Sequence, residues 1–180
     1  MATICGARDN VTGQGIRVFM TKKVLRLFAV AALAVGLSAP ANAQFRNEIR
    51  HSITPCQGSG PAVWMQVTNI DGSSGTMRFQ LYPGTSADWL ESGRWINRIE
   101  LPARNGIMMV CMPVPRPGNY AIAIRHDKNG NGRTDITRDG GGMSNNPSIN
   151  IFNLGKPGID KTRFTIGREV LPMSIRMRYM

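Results

Sequence analysis

In TMRFQLY (residues 76–82) Met77, Phe79 and Leu81 fall on one side of an extended chain and Arg78, Gln80 and Tyr82 on the other. That period of two predicts a β-strand covered on one face. NYAIAIRH (119–126) sets Tyr120, Ile122 and Ile124 against Ala121, Ala123 and Arg125, and MSIRMRY (173–179) sets Ile175, Met177 and Tyr179 against Ser174, Arg176 and Arg178. AVWMQVTNI (62–70) and GIMMVCMPV (106–114) are nearly continuous in apolar residues and read as central strands, with Trp64 in the core. Glycine, proline and asparagine clusters such as NIDGSSG, YPGT, ARNG and PRPGN separate these runs at short intervals. TSADWLESG (85–93) breaks the rhythm, and Ser86 as a cap with Gly93 as a stop predicts one short helical turn. No strand alternates with a long helix, so a parallel βαβ sheet is not expected. The pattern predicts an all-β, antiparallel β-sandwich, immunoglobulin-like or transthyretin-like, of about seven to eight strands.

After Asp127 the alternation lapses for some twenty residues, in RHDKNGNGRTDITRDGGGMSNNP (125–147), and returns with INIFNL at 149. A loop of that length in a compact sandwich usually has a function or something bound that orders it. With Asp127 as first position, Asn129, Asn131, Gly132, the Arg133 carbonyl and Asp135 follow at third, fifth, sixth, seventh and ninth, the spacing with which a curled loop presents oxygens to Ca²⁺. The twelfth position is Arg138 rather than a bidentate Glu, Asp139 comes one residue later, and the preceding segment is strand-like. The loop is therefore no EF-hand. It is a candidate calcium site at 127–139 of the weak, extracellular kind, with Asp127, Asn129, Asn131, Arg133, Asp135 and Asp139 as ligands. The competing reading is an ion-free loop in which Asn and Asp side chains bond their own backbone and the glycines supply positive φ. The spacing alone leaves both open.

Ahead of these strands, Lys22, Lys23 and Arg26 precede LFAVAALAVGLSAPANA, an apolar run too short to span a bilayer that ends in Ala41-Asn42-Ala43. This predicts a signal peptide over 20–43, preceded by an extension over 1–19, and a single periplasmic or secreted domain over 44–180. That domain carries 17 Lys and Arg against 10 Asp and Glu, a formal charge of +7. Its cations are scattered, which excludes no anionic partner but marks no nucleic-acid stripe, and export argues against nucleic acid. No later segment is long and apolar enough to span a membrane as a helix. Cys56 and Cys111 form an even pair, which in an oxidising compartment predicts a disulfide; two buried thiols are the alternative.

The stretch GNYAIAIRHDKNGNGRTD, with SNNP and the terminal SIRMRY, resembles the exported bacterial proteins grouped as domain of unknown function 2141. The shared pattern G-x-Y-A-x-x-x-x-H-D-x-N-x-N-G-x-x-D is matched by Gly118, Tyr120, Ala121, His126, Asp127, Asn129, Asn131, Gly132 and Asp135. The resemblance extends from about Cys56 to Tyr179, with its specific part at 118–147. Where many members have Phe-Gly-x-Pro-x-Glu after this pattern, the chain has RDGGGMSNNP. The resemblance implies a β-sandwich and export, and no activity.

His51 and His126 are the only histidines, and His126 shares its strand face with Tyr120, Ile122 and Ile124, the position of a packed residue. Without G-x-S-x-G, H-E-x-x-H or a free Cys-His pair, no catalytic residue is assigned and the protein is read as non-enzymatic. Trp89 and Trp95, flanking LESGR with Arg94 and Arg98, offer a second binding surface if the rings are exposed, suited to an anionic envelope glycan or lipopolysaccharide. The expectation is an exported cell-envelope binding or structural domain with calcium as candidate cofactor and an envelope component as partner.

Overall fold

The computed structural model describes residues 45–149 and 155–180. The expected extension over 1–19, the signal peptide over 20–43 and most of INIFNL lie outside the described residues. The rest is a sandwich of two sheets with ten strands, the all-β architecture that the alternation predicts. In chain order the elements are β1 (Asn47–Glu48), α1 (Thr54–Gln57), β2 (Ala62–Ile70), β3 (Thr76–Pro83), β4 (Asn97–Pro102), β5 (Gly106–Pro113), β6 (Gly118–Asp127), β7 (Gly140–Met143), α2 (Ile159–Thr162), β8 (Phe164–Ile166), β9 (Val170–Arg176) and β10 (Arg178–Tyr179).

The larger sheet runs β1-β4-β3-β6-β7-β10, with β8 also paired to β6, and the smaller runs β5-β2-β9. The inward sides of the alternating strands meet between them. Met77, Phe79 and Leu81 of β3 and Ile122 and Ile124 of β6 face Val63, Met65 and Val67 of β2 and Val110 and Met112 of β5, all at most 3 % exposed. Strand period two thus becomes one shared core, each fully buried side chain contributing about 1.5–3 kcal/mol. Cys56 and Cys111 are joined in a disulfide that ties α1 to β5 and closes a long chain loop, worth about 2–4 kcal/mol.

Several details depart from the sequence reading. Two pairings are parallel rather than antiparallel: β1 on β4, and β9 on β2 from Ala62↔Val170 to Thr68↔Arg176. MSIRMRY does alternate, but it serves both sheets: Met177, fully buried, donates its N–H to the Thr68 carbonyl at 2.9 Å, and the chain then crosses to pair with β7. GIMMVCMPV is an edge strand and not a central one, with Ile107 58 % and Met109 41 % exposed. Trp64 is only half-buried, on the outer side of β2. The 85–93 segment forms turns without a helix, closed by Trp89 N–H on the Thr85 carbonyl and by Thr85 Oγ1 donating to Asp88 Oδ2, and the cap expected at Ser86 has no helix to start.

The glycine-rich GGGM is itself a strand. Alternation missed β7 because its glycines carry no side chains to alternate. They are there for close approach: a Cβ on Gly140 would overlap the Tyr179 ring, and one on Gly142 would sit 2.8 Å from the Met177 sulfur.

Candidate functional site

Strand β6 delivers Asp127 to the edge of the core, where it is 4 % exposed, and the chain then curls back over it. Gly130 and Gly132 have φ of 69° and 76°, and this left-handed backbone lets the Gly132 N–H return to Asp127 Oδ2 at 2.8 Å. Arg125 Nη2 donates to the same oxygen at 3.4 Å and to the Gly132 carbonyl at 3.0 Å. Asn129 Oδ1 accepts from Asn131 N–H and Asn131 Oδ1 from Arg133 N–H, at 3.1 and 2.8 Å, two successive Asx-turns. The amide nitrogens of Asn129 and Asn131 both donate to Asp135 Oδ2, at 2.7 and 2.9 Å. Those two bonds hold the Asp135 carboxyl below the usual carboxylate range, with smaller help from Arg138 and Arg133. Asp139, 6 % exposed, accepts Lys128 N–H on Oδ1 and Asp135 N–H on Oδ2 and so closes the loop from both ends.

The six residues expected as calcium ligands therefore lie on one hydrogen-bonded loop. They do not converge as three carboxylates: among the described residues no group of three or more His, Cys, Asp or Glu side chains is placed to hold a metal ion. Asp139, expected as an oxygen ligand, here accepts two backbone N–H groups instead. Asn145 and Asn146, weighed as further oxygen donors, do separate work. Both have positive φ; they donate to the Arg163 and Ser174 carbonyls, and Asn146 Oδ1 accepts Arg176 N–H, a clip between the end of β7 and β9.

One atom in the loop is left over. Asp127 Oδ1 is buried and has no hydrogen-bond partner. A buried carboxylate oxygen without a donor costs about 1–3 kcal/mol or more, so the ion-free hydrogen-bond set does not account for this side chain completely.

Behind the loop lies a network that sequence reasoning did not find. His126, fully buried as its strand face predicted, bonds Tyr179 Oη through Nδ1 and the Ser74 carbonyl through Nε2, both at 2.8 Å. Since a carbonyl only accepts, Nε2 carries the proton, and in the neutral ring Nδ1 accepts from Tyr179. Tyr179 Oη in turn accepts Asp71 N–H at 3.0 Å, and Lys128 Nζ pairs with Asp71 at 2.7 Å. The 71–75 turn is thereby fixed beneath Asp127, and Gly75 approaches so closely that a Cβ would overlap the Asp127 carbonyl. Gly75 was visible in the sequence as a turn glycine; the pairing of His126 with a tyrosine 53 positions away left no local signal.

The tryptophan surface is closed. Trp89 and Trp95 are 8 % and 5 % exposed, against the exposed rings that sugar stacking needs. Trp89 donates from Nε1 to the Pro157 carbonyl and meets Tyr82 edge-on at 5.4 Å. Arg98 lies over the Trp95 ring at 4.0 Å and pairs with Glu48 at 3.1 Å, and Arg94 pairs with Asp88 at 2.8 Å. All four residues are taken up by contacts within the protein.

No curated protein and no solved structure matches the chain. A family model does, over residues 65–173, the span from β2 into β9 that contains most of the core, the Asp127 loop and Asn145 and Asn146. The chain belongs to that family, described as an uncharacterized protein conserved in bacteria (DUF2141).

Proposed function

We propose that the protein is an exported, non-enzymatic binding or structural domain of the cell envelope, and that its 127–139 loop takes up Ca²⁺ as an ordering ion. The observation that carries the calcium reading is the partnerless, buried Asp127 Oδ1 at the mouth of an oxygen-rich loop. Export is supported by the Cys56–Cys111 disulfide and by the basic, apolar and small-residue order of residues 20–43. No helix among the described residues is long and apolar enough to cross a membrane.

Asp127 and Asp135 would supply the charge, Asn129 and Asn131 neutral amide oxygens, and Arg133 its carbonyl. Binding requires Asp135 to give up the N–H groups it accepts from Asn129 and Asn131, and the two Asn Oδ1 atoms to turn from the Asn131 and Arg133 N–H groups to the ion. That rearrangement, and the nearby guanidinium of Arg125, place the expected affinity at about 10⁻⁴–10⁻³ M. The ion's role in this reading is to stiffen a surface segment for a partner, not to activate water.

The test is the thermal midpoint of the purified protein in chelator and then in about 5 mM Ca²⁺, above the weak-site range. A rise of several degrees that Mg²⁺ does not reproduce, and that Asp127→Asn removes, is the expected result. A midpoint indifferent to Ca²⁺ makes the loop a hydrogen-bonded turn structure and sinks the metal reading.

A further inference from the structure

On the outer side of the larger sheet, register builds a row of charge that no single strand displays. Glu100 of β4 lies opposite Arg78 of β3, Arg78 opposite Arg125 of β6, Arg125 opposite Gly141 of β7, and Gly141 opposite Arg178 of β10. Three arginines thus share one cross-strand row with one carboxylate and one glycine. Like charges directly opposite on adjacent strands are destabilising, and repulsion from Arg78, second to burial, helps push the Arg125 guanidinium below its usual range. Arg78 is matched by Glu100 at 2.6 Å and Arg125 partly by Asp127. Arg125 Nε, however, is buried with no acceptor, and among the described residues Arg178 and Lys156 stand in no ion pair.

These cations line an open cleft of about 320 Å³, near the lower end of the roughly 300–1,000 Å³ of small-molecule sites. Small residues on the sheet make the space. Gly141 fills none of the gap between Arg125 and Arg178, and a Cβ there would meet nothing nearer than 3.8 Å. Two positions along β6, the row becomes apolar, with Ala123 opposite Met143. Leu90 and Ile149 also line the cleft, and so do Ile136 and Met180, which are 46 % and 44 % exposed. Among the described residues the only acidic side chain at its wall is Asp139, buried and committed to backbone N–H groups.

An apolar trough that ends in Arg178 and Lys156, beside an Arg125 already bonded to Thr134 Oγ1, the Gly132 carbonyl and Asp127, is complementary to a molecule with a hydrocarbon body and one anionic end. We propose that this cleft binds a single-chain anionic amphiphile, a fatty carboxylate, with its head group on Arg178 and Lys156, in the field of Arg125, and its chain along Ala123, Met143 and Leu90. A carboxylate supplies the acceptor that Arg178 and Lys156 lack, in the bidentate manner that suits a guanidinium, and each methylene buried along the trough adds to the affinity. The small volume of the recess selects one chain rather than a bilayer lipid. The cleft stands independently of the calcium reading, although Thr134, Ile136 and Asp139 of the loop form one of its walls.

The experiment is calorimetric titration of the purified protein with dodecanoate below its micellar concentration, in chelator throughout, so that failure of the calcium reading leaves it intact. One-to-one binding is expected, weaker for octanoate and absent for dodecyltrimethylammonium, which has the same chain and the opposite charge. Arg178→Gln with Lys156→Gln should weaken it about tenfold, the scale of one charge-assisted hydrogen bond, with an unchanged circular dichroism spectrum. Gly141→Leu, whose side chain enters the open space, should abolish it at an unchanged thermal midpoint. Equal affinity for the cationic amphiphile, undiminished binding by Gly141→Leu, or no binding of dodecanoate at all overturns the proposal. Attachment to phosphatidylglycerol vesicles without binding of monomeric dodecanoate overturns it also, and assigns the basic row to a membrane surface.

Discussion

Two long connections of the larger sheet, 84–96 between β3 and β4 and 128–139 between β6 and β7, are ordered by opposite means. The first is an aromatic plug: Trp89, Trp95 and Tyr82 pack with Ala121, Ala123, Met143 and Ile159 in a small second core on the outer side of the sheet. The second has one large apolar residue, Ile136, and it is 46 % exposed. Its order comes from carboxylates and amides that bond one another and the loop backbone. Burial of apolar area does not depend on calcium or on the protonation of a carboxylate, whereas a polar loop is only as firm as the ionisation and ligation of its acceptors. The difference separates a segment built to stay from one able to respond.

Removing an anchor from the first connection should have the largest effect. Trp89→Ala is expected to lower the unfolding free energy by about 3–5 kcal/mol in urea denaturation, since it deletes a buried ring and the bond to the Pro157 carbonyl. A loss below 1 kcal/mol would erase the contrast. Asp127→Ala comes next: the Gly132 N–H loses its acceptor and Arg125 a partner, for about 1–3 kcal/mol in the same assay. Calcium sharpens the comparison without mutation. Amide hydrogen exchange at 128–139 should slow in about 5 mM Ca²⁺ while exchange at 84–96 stays put; parallel slowing of both would point to global stabilisation instead.

Acid should give the smallest change. The Asp135 carboxyl is depressed in the folded protein by Asn129 and Asn131, so its contribution is present above the ordinary carboxylate value of about 3.9 and fades as pH falls through the lower folded value. Exchange at 129–135 should quicken there before that at 84–96. Asp71, held low by Lys128, adds to the same trend on the turn beneath the loop.

Much of the strand content was legible because alternation is a local property. Phe79 and Leu81, Ile122 and Ile124, and Ile175 point inward as their spacing predicts. The loop was legible for the complementary reason, the loss of that alternation after Asp127. What failed did so where a residue's neighbours lie far along the chain. GIMMVCMPV is apolar enough for a central strand, yet among the described residues no strand pairs with its outer edge, and Ile107 and Met109, on its outward face, meet solvent. GGGM carries no pattern because its meaning lies in the Tyr179 and Met177 side chains that come against it. The tryptophans near LESGR suggested a surface, but the small Ala121 and Ala123 of β6 leave space for them to fold inward.

An all-β chain, an even pair of cysteines and a polar loop spaced like a calcium ligand series could be read from the residues alone, since side-chain period, composition and residue order suffice for each. Tertiary structure alone decided that β9 runs parallel to β2, that Asp127 Oδ1 is left without a donor, and that Arg78, Arg125 and Arg178 share one row across β3, β6 and β10. The physical reason is register. A strand's own residues fix which face each side chain takes, but the neighbour opposite it is set by the core packing that aligns whole strands, and charge complementarity is a property of that alignment.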